Sequence, residues 1–174
     1  QQVLMTKLKF PDISSALSNS NLSEEVKQYL PLLRLGLPSN LDAWDGYPAE
    51  RDRIFSIFKN NNSKLISLAG DTHNAWFSKL FNNTEEHIGY EFGTPSVTSP
   101  GLSEYLNGVN PRELEQGIIN ANKEIKWVNT SHRGYTTIYL NESVLKGTFK
   151  FIESVLEKSA EISFSKTFTI DTKS

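Results

Sequence analysis

Apolar residues in this chain come in short blocks separated by polar, turn-forming stretches. The opening residues 1–10 predict the end of a strand. Residues 11–40 mix Ser and Asn with one short helical candidate, "SEEVKQYLPLLRLG" (23–36), which Pro31 should end or kink. In "LDAWDGYPAERDRIFSIFKNNNSK" (41–64) Pro48 suits a first helical position and Glu50 suits the positive end of a helix dipole. Arg51, Ile54, Ile57 and Phe58 share one face at helical spacing, and "NNNS" stops the helix. "KLISLAG" reads as a short buried strand, too apolar to alternate. "FNNTEEH" reads as a loop, and "IGYEFGTPSVTSPG" as a strand breaking into a turn. "PRELEQGIINANKE" is a helix opened by Pro111 and weakened by Gly117. "IKWVNTSHRGYTTIYLN" carries β-branched and aromatic residues on either side of a polar centre. It predicts two strands, or one strand bulged near Gly134. "SVLKGTFKFIESV" and "AEISFSKTFTID" close the chain as an antiparallel pair. The expected order is β, irregular, α, β, β, α, β, β, β, an α/β (α+β) pattern. There is no internal repeat or domain-sized linker, so residues 1–174 are expected to form a single domain.

Composition changes this picture little. With 174 residues the chain can bury a core, and a 37% hydrophobic and 22% charged content suits a water-facing globular domain. The net charge of −2 gives no pull toward nucleic acid or an anionic membrane, and no apolar run is long enough to span a bilayer. The absence of cysteine excludes disulfides and thiolate metal sites.

Four stretches carry candidate chemistry. In "GDTH", Asp71 and His73 stand two apart. In an extended segment they would point the same way, and a carboxylate with an imidazole can ligate a cation. The plainer alternative is a capping aspartate beside a surface histidine. In "DAWDGYPAER", Asp42, Asp45, Tyr47 and Arg51 would face a polar pocket, or Trp44 and Tyr47 would staple a helix entry. The hydroxyls of "GTPSVTSPG" could donate to an anion, although such groups more often satisfy loop backbone. His132 and Arg133 in "HRGY" would reach a site or sit in a solvated turn. On spacing alone, each plain alternative is favoured.

Taken in order, "WDGYPAERDR", "LISLAGDTHNAW", "EFGTPSVTSPG" and "KWVNTSHRGY" resemble the C-terminal part of the PhoD-like alkaline phosphatase/phosphodiesterase family, among the metallophosphoesterases. The likeness covers residues 41–139 well and is looser outside them. It implies the C-terminal half of a four-layer α/β/β/α sandwich with a mixed sheet and metals at the strand ends. It implies hydrolysis of phosphate mono- or diesters by a metal-activated water, with calcium and iron as the metals. Asp71 and His73 would be the catalytic metal ligands. Asp45, Tyr47 and Arg51 would be supporting or substrate-side residues, and Asn74 and Trp76 would shape the rim. Ser131 stands where many relatives have an aspartate, so no role is carried to it.

The family's early ligand-bearing motifs do not occur in this sequence and would precede Gln1. The chain alone is therefore expected to be inactive, to hold no competent metal cluster, and either to self-associate through a sheet face or edge left open or to pack its own tail over that face. The resemblance favours an exported, periplasmic or extracellular setting, with a cytoplasmic one still open. Two rivals remain: a non-catalytic binding or scaffold module that keeps the half-fold, and a serine esterase using the "TPSVTSPG" turn.

Overall fold

The computed structural model describes residues 1–9, 11, 38–106, 108–158 and 161–173. The helix expected at 23–36 lies outside them. Two sheets carry the fold. Strands β1 (Leu65–Ala69), β2 (Ala75–Phe81), β3 (His87–Gly93) and β4 (Ile125–Asn129) form a mixed sheet in the order β1-β3-β2-β4. β1 runs parallel to β3, whereas β2 runs antiparallel to both β3 and β4. The C-terminal ends of β1, β3 and β4 therefore meet at one edge, beside the start of β2. Strands β5 (Arg133–Leu140), β6 (Val144–Ile152) and β7 (Ile162–Asp171) form an antiparallel meander.

The meander covers one face of the mixed sheet. Ala75, Phe77 and Phe92 meet Leu145, Phe149, Phe151 and Ile170 in one apolar cluster. Full burial of each large side chain contributes about 1.5–3 kcal/mol, so this aromatic layer fixes how the sheets stack. Gly147 permits the close approach, since a Cβ there would lie 2.1 Å from the Phe92 ring. On the other face pack α1 (Pro48–Asn60), the short α2 (Leu102–Tyr105) and α3 (Pro111–Ala121). Phe55 of α1 is buried with Met5, Leu65, Leu80 and Ile88. Leu114 and Ile118 of α3 are buried with Leu4, Leu8, Trp76 and Val128. The described residues thus form helix, sheet and sheet layers, an α+β architecture.

Local chemistry sets the helix ends. Pro48 opens α1 with Glu50 in its first turn. Asn110 caps α3 by accepting the Arg112 amide at 2.9 Å, just ahead of Pro111.

Several expectations need correction. Residues 75–81 form a strand, and the loop is confined to the β2–β3 turn. β1 does alternate: Leu65, Ser67 and Ala69 are buried while Leu68 is 47% exposed. On α1 the fully buried apolar residue is Phe55, and Ile57 faces out. Of the two readings of 125–141, the structure has the two strands, and they belong to different sheets.

Residues 1–9 form no strand of either sheet; Lys9 makes an isolated bridge to Pro38. They cross the mixed sheet beneath the helices, and side chains receive their backbone N–H groups in succession. Glu91 accepts from Met5 and Thr6, Glu124 from Lys7, Asp45 from Leu8 and Asn122 from Lys9, at 2.7–3.0 Å. Arg51, 1% exposed, donates from Nε to the Met5 carbonyl at 2.6 Å and from Nη2 to both Glu124 oxygens at 3.0 Å. Its guanidinium also lies 4.4 Å from the Phe55 ring centre. A buried strap without a sheet ladder needs acceptors for every amide, and buried carboxylates need a cation. These acceptors serve the amides of residues 5–9, and Arg51 supplies the cation for Glu124.

Candidate functional site

Three loops converge at the edge where β1, β3 and β4 end. They are 70–74 after β1, 94–101 after β3 and 130–132 after β4. Backbone bonds tie them together. Thr94 donates to the Ala69 carbonyl (2.8 Å), Ser96 to the His73 carbonyl (3.3 Å), Gly134 to the Ser96 carbonyl (3.0 Å) and Ser103 to the Thr130 carbonyl (3.3 Å).

Asp71 and His73 sit in the first loop, but not as neighbours on an extended strand. Both have left-handed backbone conformations, with φ of 64° and 61°. The expected extended geometry is therefore replaced by a sharp turn. Such conformations are unfavourable for residues bearing a Cβ and persist only where surrounding bonds impose them. Here the Gly70 amide donates to the Gln2 carbonyl and Thr72 to the Gly70 carbonyl, at 2.9 and 2.7 Å. The Trp76 indole donates to the Thr72 hydroxyl at 2.6 Å. Buried Asn74 donates its amide to the Thr72 carbonyl, and its Oδ1 accepts from Leu102 at 3.0 Å.

Asp71 is exposed and His73 is partly exposed. The exposed Asp71 carboxylate takes a long contact, 3.4 Å, from the Gln2 amide. His73 Nδ1 lies 2.9 Å from the Pro100 carbonyl. A carbonyl only accepts, so Nδ1 carries the proton and Nε2 holds the lone pair.

The other candidates are distributed differently. Asp45 and Arg51 belong to the strap described above, with Arg51 enclosed in the core. Burial pushes the Asp45 carboxyl up, against the pull of the Leu8 amide and the Arg51 charge. Tyr47, 56% exposed, lines a groove of about 350 Å³ with Gln1, Gln2, Val3 and Trp44. Asn74 is buried beneath the turn. Arg133, expected at a solvated turn, is 5% exposed as the first residue of β5 and pairs with Glu104. His132 packs edge-on against Phe164 and Phe151. The Ser96 hydroxyl serves the loop itself, donating to the Ser99 carbonyl.

Glu104 escaped the sequence reading. Its Oε2 accepts the Gly101 amide at 2.9 Å, and the Arg133 guanidinium holds its other oxygen. Burial raises its pKa, but the Arg133 bond and the Gly101 amide outweigh that and hold the carboxyl below its ordinary value. The signal for it was a carboxylate three residues after Gly101, a capping-box spacing.

A mixed sheet backed by a meander, with polar loops gathered where its parallel strands end, defines an α+β sandwich with a strand-end site. A model of the PhoD-like phosphatase family matches residues 1–149. Alkaline phosphatase D of Bacillus subtilis (strain 168) is 34% identical over 134 residues, covering 74% of this chain and 22% of that protein. The chain belongs to the PhoD-like phosphatase family. It spans about a fifth of the length of this curated relative. β7 lies beyond the matched region, and so does the end of β6.

Proposed function

We propose that this chain forms one edge of the metal centre of a phosphoesterase acting on phosphate mono- or diesters, with Asp71 and His73 as its ligands. The observation carrying this reading is the turn itself. Two polar residues of a family-matched motif, Asp71 and His73 on either side of Thr72, are held in left-handed backbone conformations, with the carboxylate exposed and the imidazole bonded through Nδ1. Strain of this kind points to a role that outweighs its local cost.

The donor set fits a metal in kind but supplies only part of a coordination sphere. Among the described residues no three His, Asp or Glu side chains are grouped to hold an ion. A bound metal would polarise the phosphate ester and activate a water. Oxygen donors suit calcium, and a carboxylate with an imidazole also suits iron. Asp71 would contribute negative charge, and His73 a neutral nitrogen of fixed tautomer. Asn74 and Trp76 would hold the turn in place. We assign Asp45 and Arg51 to support of the strap, and Tyr47 to a groove beside it.

Hydrolysis of p-nitrophenyl phosphate and bis(p-nitrophenyl) phosphate by the full-length gene product tests this. Activity should be lost on chelation, restored by added metal, and abolished by Asp71→Asn. Residues 1–174 alone should be inactive. Chelator-resistant activity blocked by a serine-reactive phosphonate would instead support a serine esterase. We also propose self-association. β1 and β5 are edge strands of their sheets; Gln1 and Gln2 bond to the outer edge of β1 at Leu68 and Gly70, and the side chains of Leu68 and Leu140 are 47% and 64% exposed. No helix among the described residues is long and apolar enough to cross a membrane.

A further inference from the structure

His73 and Glu104 contact opposite ends of one peptide group. The Pro100 carbonyl receives His73 Nδ1–H at 2.9 Å, and the N–H of the same unit, on Gly101, donates to Glu104 Oε2 at 2.9 Å. In a planar trans peptide the C=O and N–H point in opposite directions, so the unit can pass polarisation straight through. A carboxylate accepting the N–H makes the carbonyl a stronger acceptor. Arg133 fixes the other Glu104 oxygen and is itself buried at the start of β5, so Glu104 is anchored to the framework.

We infer that Glu104 is a positioning residue for His73. Through the Pro100–Gly101 peptide it locks the imidazole in the Nδ1–H tautomer and keeps Nε2 as the outward lone pair. Metal-ligating histidines commonly donate their second nitrogen to a carboxylate or carbonyl, which fixes ring orientation and raises ligand basicity. Here a carbonyl makes the contact and a carboxylate stands one peptide behind it. The packing leaves little latitude. A Cβ at Gly101 would come within 2.6 Å of Asn74 Oδ1, 2.9 Å of the Thr130 carbonyl and 3.2 Å of Arg133 Nη1. The tautomer lock is independent of any metal. Its value to catalysis rests on the proposed role of His73 as a ligand.

The test uses the intact chain and Glu104→Gln, a partly exposed position where the amide keeps the size and removes the charge. Imidazole ¹⁵N NMR at alkaline pH reads the His73 tautomer directly. Wild type should be predominantly Nδ1–H, and Glu104→Gln, which keeps the carbonyl but removes the charge polarising it, should lower the Nδ1–H share measurably while the amide spectrum of β2 and β3 stays unchanged. Arg133→Lys, which keeps a cation, should retain more of the Nδ1–H form than Arg133→Met. An Nε2–H tautomer in wild type, or an identical tautomer ratio in Glu104→Gln, overturns the inference. A Zn²⁺ titration separates it from the ligand reading. Affinity at His73 should fall about tenfold or more in Glu104→Gln, in line with losses of second partners of ligating histidines. Zn²⁺ that leaves His73 unshifted in wild type, alongside a tautomer that still follows Glu104, removes the ligand reading and leaves the lock standing.

Discussion

Arg51→Met cuts the strap from its cation while keeping an unbranched apolar side chain in the core. The substitution deletes the 2.6 Å bond to the Met5 carbonyl and both 3.0 Å contacts to Glu124, and leaves the methionine against Phe55. Glu124 still accepts from Thr6 and Lys7, but its buried carboxylate loses its cation. Removing one partner of a buried pair costs about 3–5 kcal/mol, far more than the ~0–1 kcal/mol of an exposed pair. For a chain of this size that corresponds to a fall in melting temperature of roughly 6–20 °C. Urea unfolding followed by tryptophan fluorescence should show a lower midpoint at an unchanged slope. Arg51→Lys should recover part of the loss, because a point charge can reach Glu124 but cannot reproduce the planar fork. A loss below about 1 kcal/mol for Arg51→Met would refute the reasoning and reopen a substrate-side role for Arg51.

Burial pushes the Glu91 carboxyl above its ordinary 4.5, against bonds from the Met5 amide, the Ser67 hydroxyl and the Thr6 amide. A folded-state pKa above the unfolded one gives stability that is full below about 4.5 and lost as pH rises through the folded value. Glu91→Gln cannot titrate, so its stability relative to wild type should improve as pH rises above about 4.5. Urea midpoints that keep a constant gap, or diverge the other way, contradict this. For the proposed self-association, sedimentation should show concentration-dependent dimers or larger species that Leu68→Lys with Leu140→Lys disperses; a strictly monomeric wild type counts against it.

Features governed by near neighbours were legible in the sequence. Pro48 with Glu50 marked α1, and Pro111 marked α3, because caps and first-turn chemistry act over a few residues. β2 was missed because "AWFSKLF" is buried on both faces, with Trp76 toward the helices and Phe77 toward the meander, so it shows no alternation. The separation of β4 and β5 into different sheets depends on their pairing partners, which local pattern does not encode. The motif singled out Asp71 and His73, but the extended geometry expected of them is replaced by a left-handed turn. That turn is held by bonds involving Gln2, Trp76 and Leu102, two of them outside the motif, so its own residues could not show it. Arg51 and Asp45 looked like pocket residues because charge near Trp44 and Tyr47 suggested a site. Their actual partners, the strap and Glu124, are distant in sequence; Thr6 and Glu124 stand 118 positions apart. Glu104 was overlooked because its link to His73 runs through the Pro100–Gly101 peptide, which local pattern does not show.

Anomalous scattering from crystals of the full-length gene product, grown with its native metal and collected at that metal's absorption edge, tests the central claim most directly. The account predicts an anomalous peak within about 2.0–2.6 Å of both an Asp71 carboxylate oxygen and His73 Nε2. A metal centre bound elsewhere, with neither residue in its coordination sphere, would contradict it.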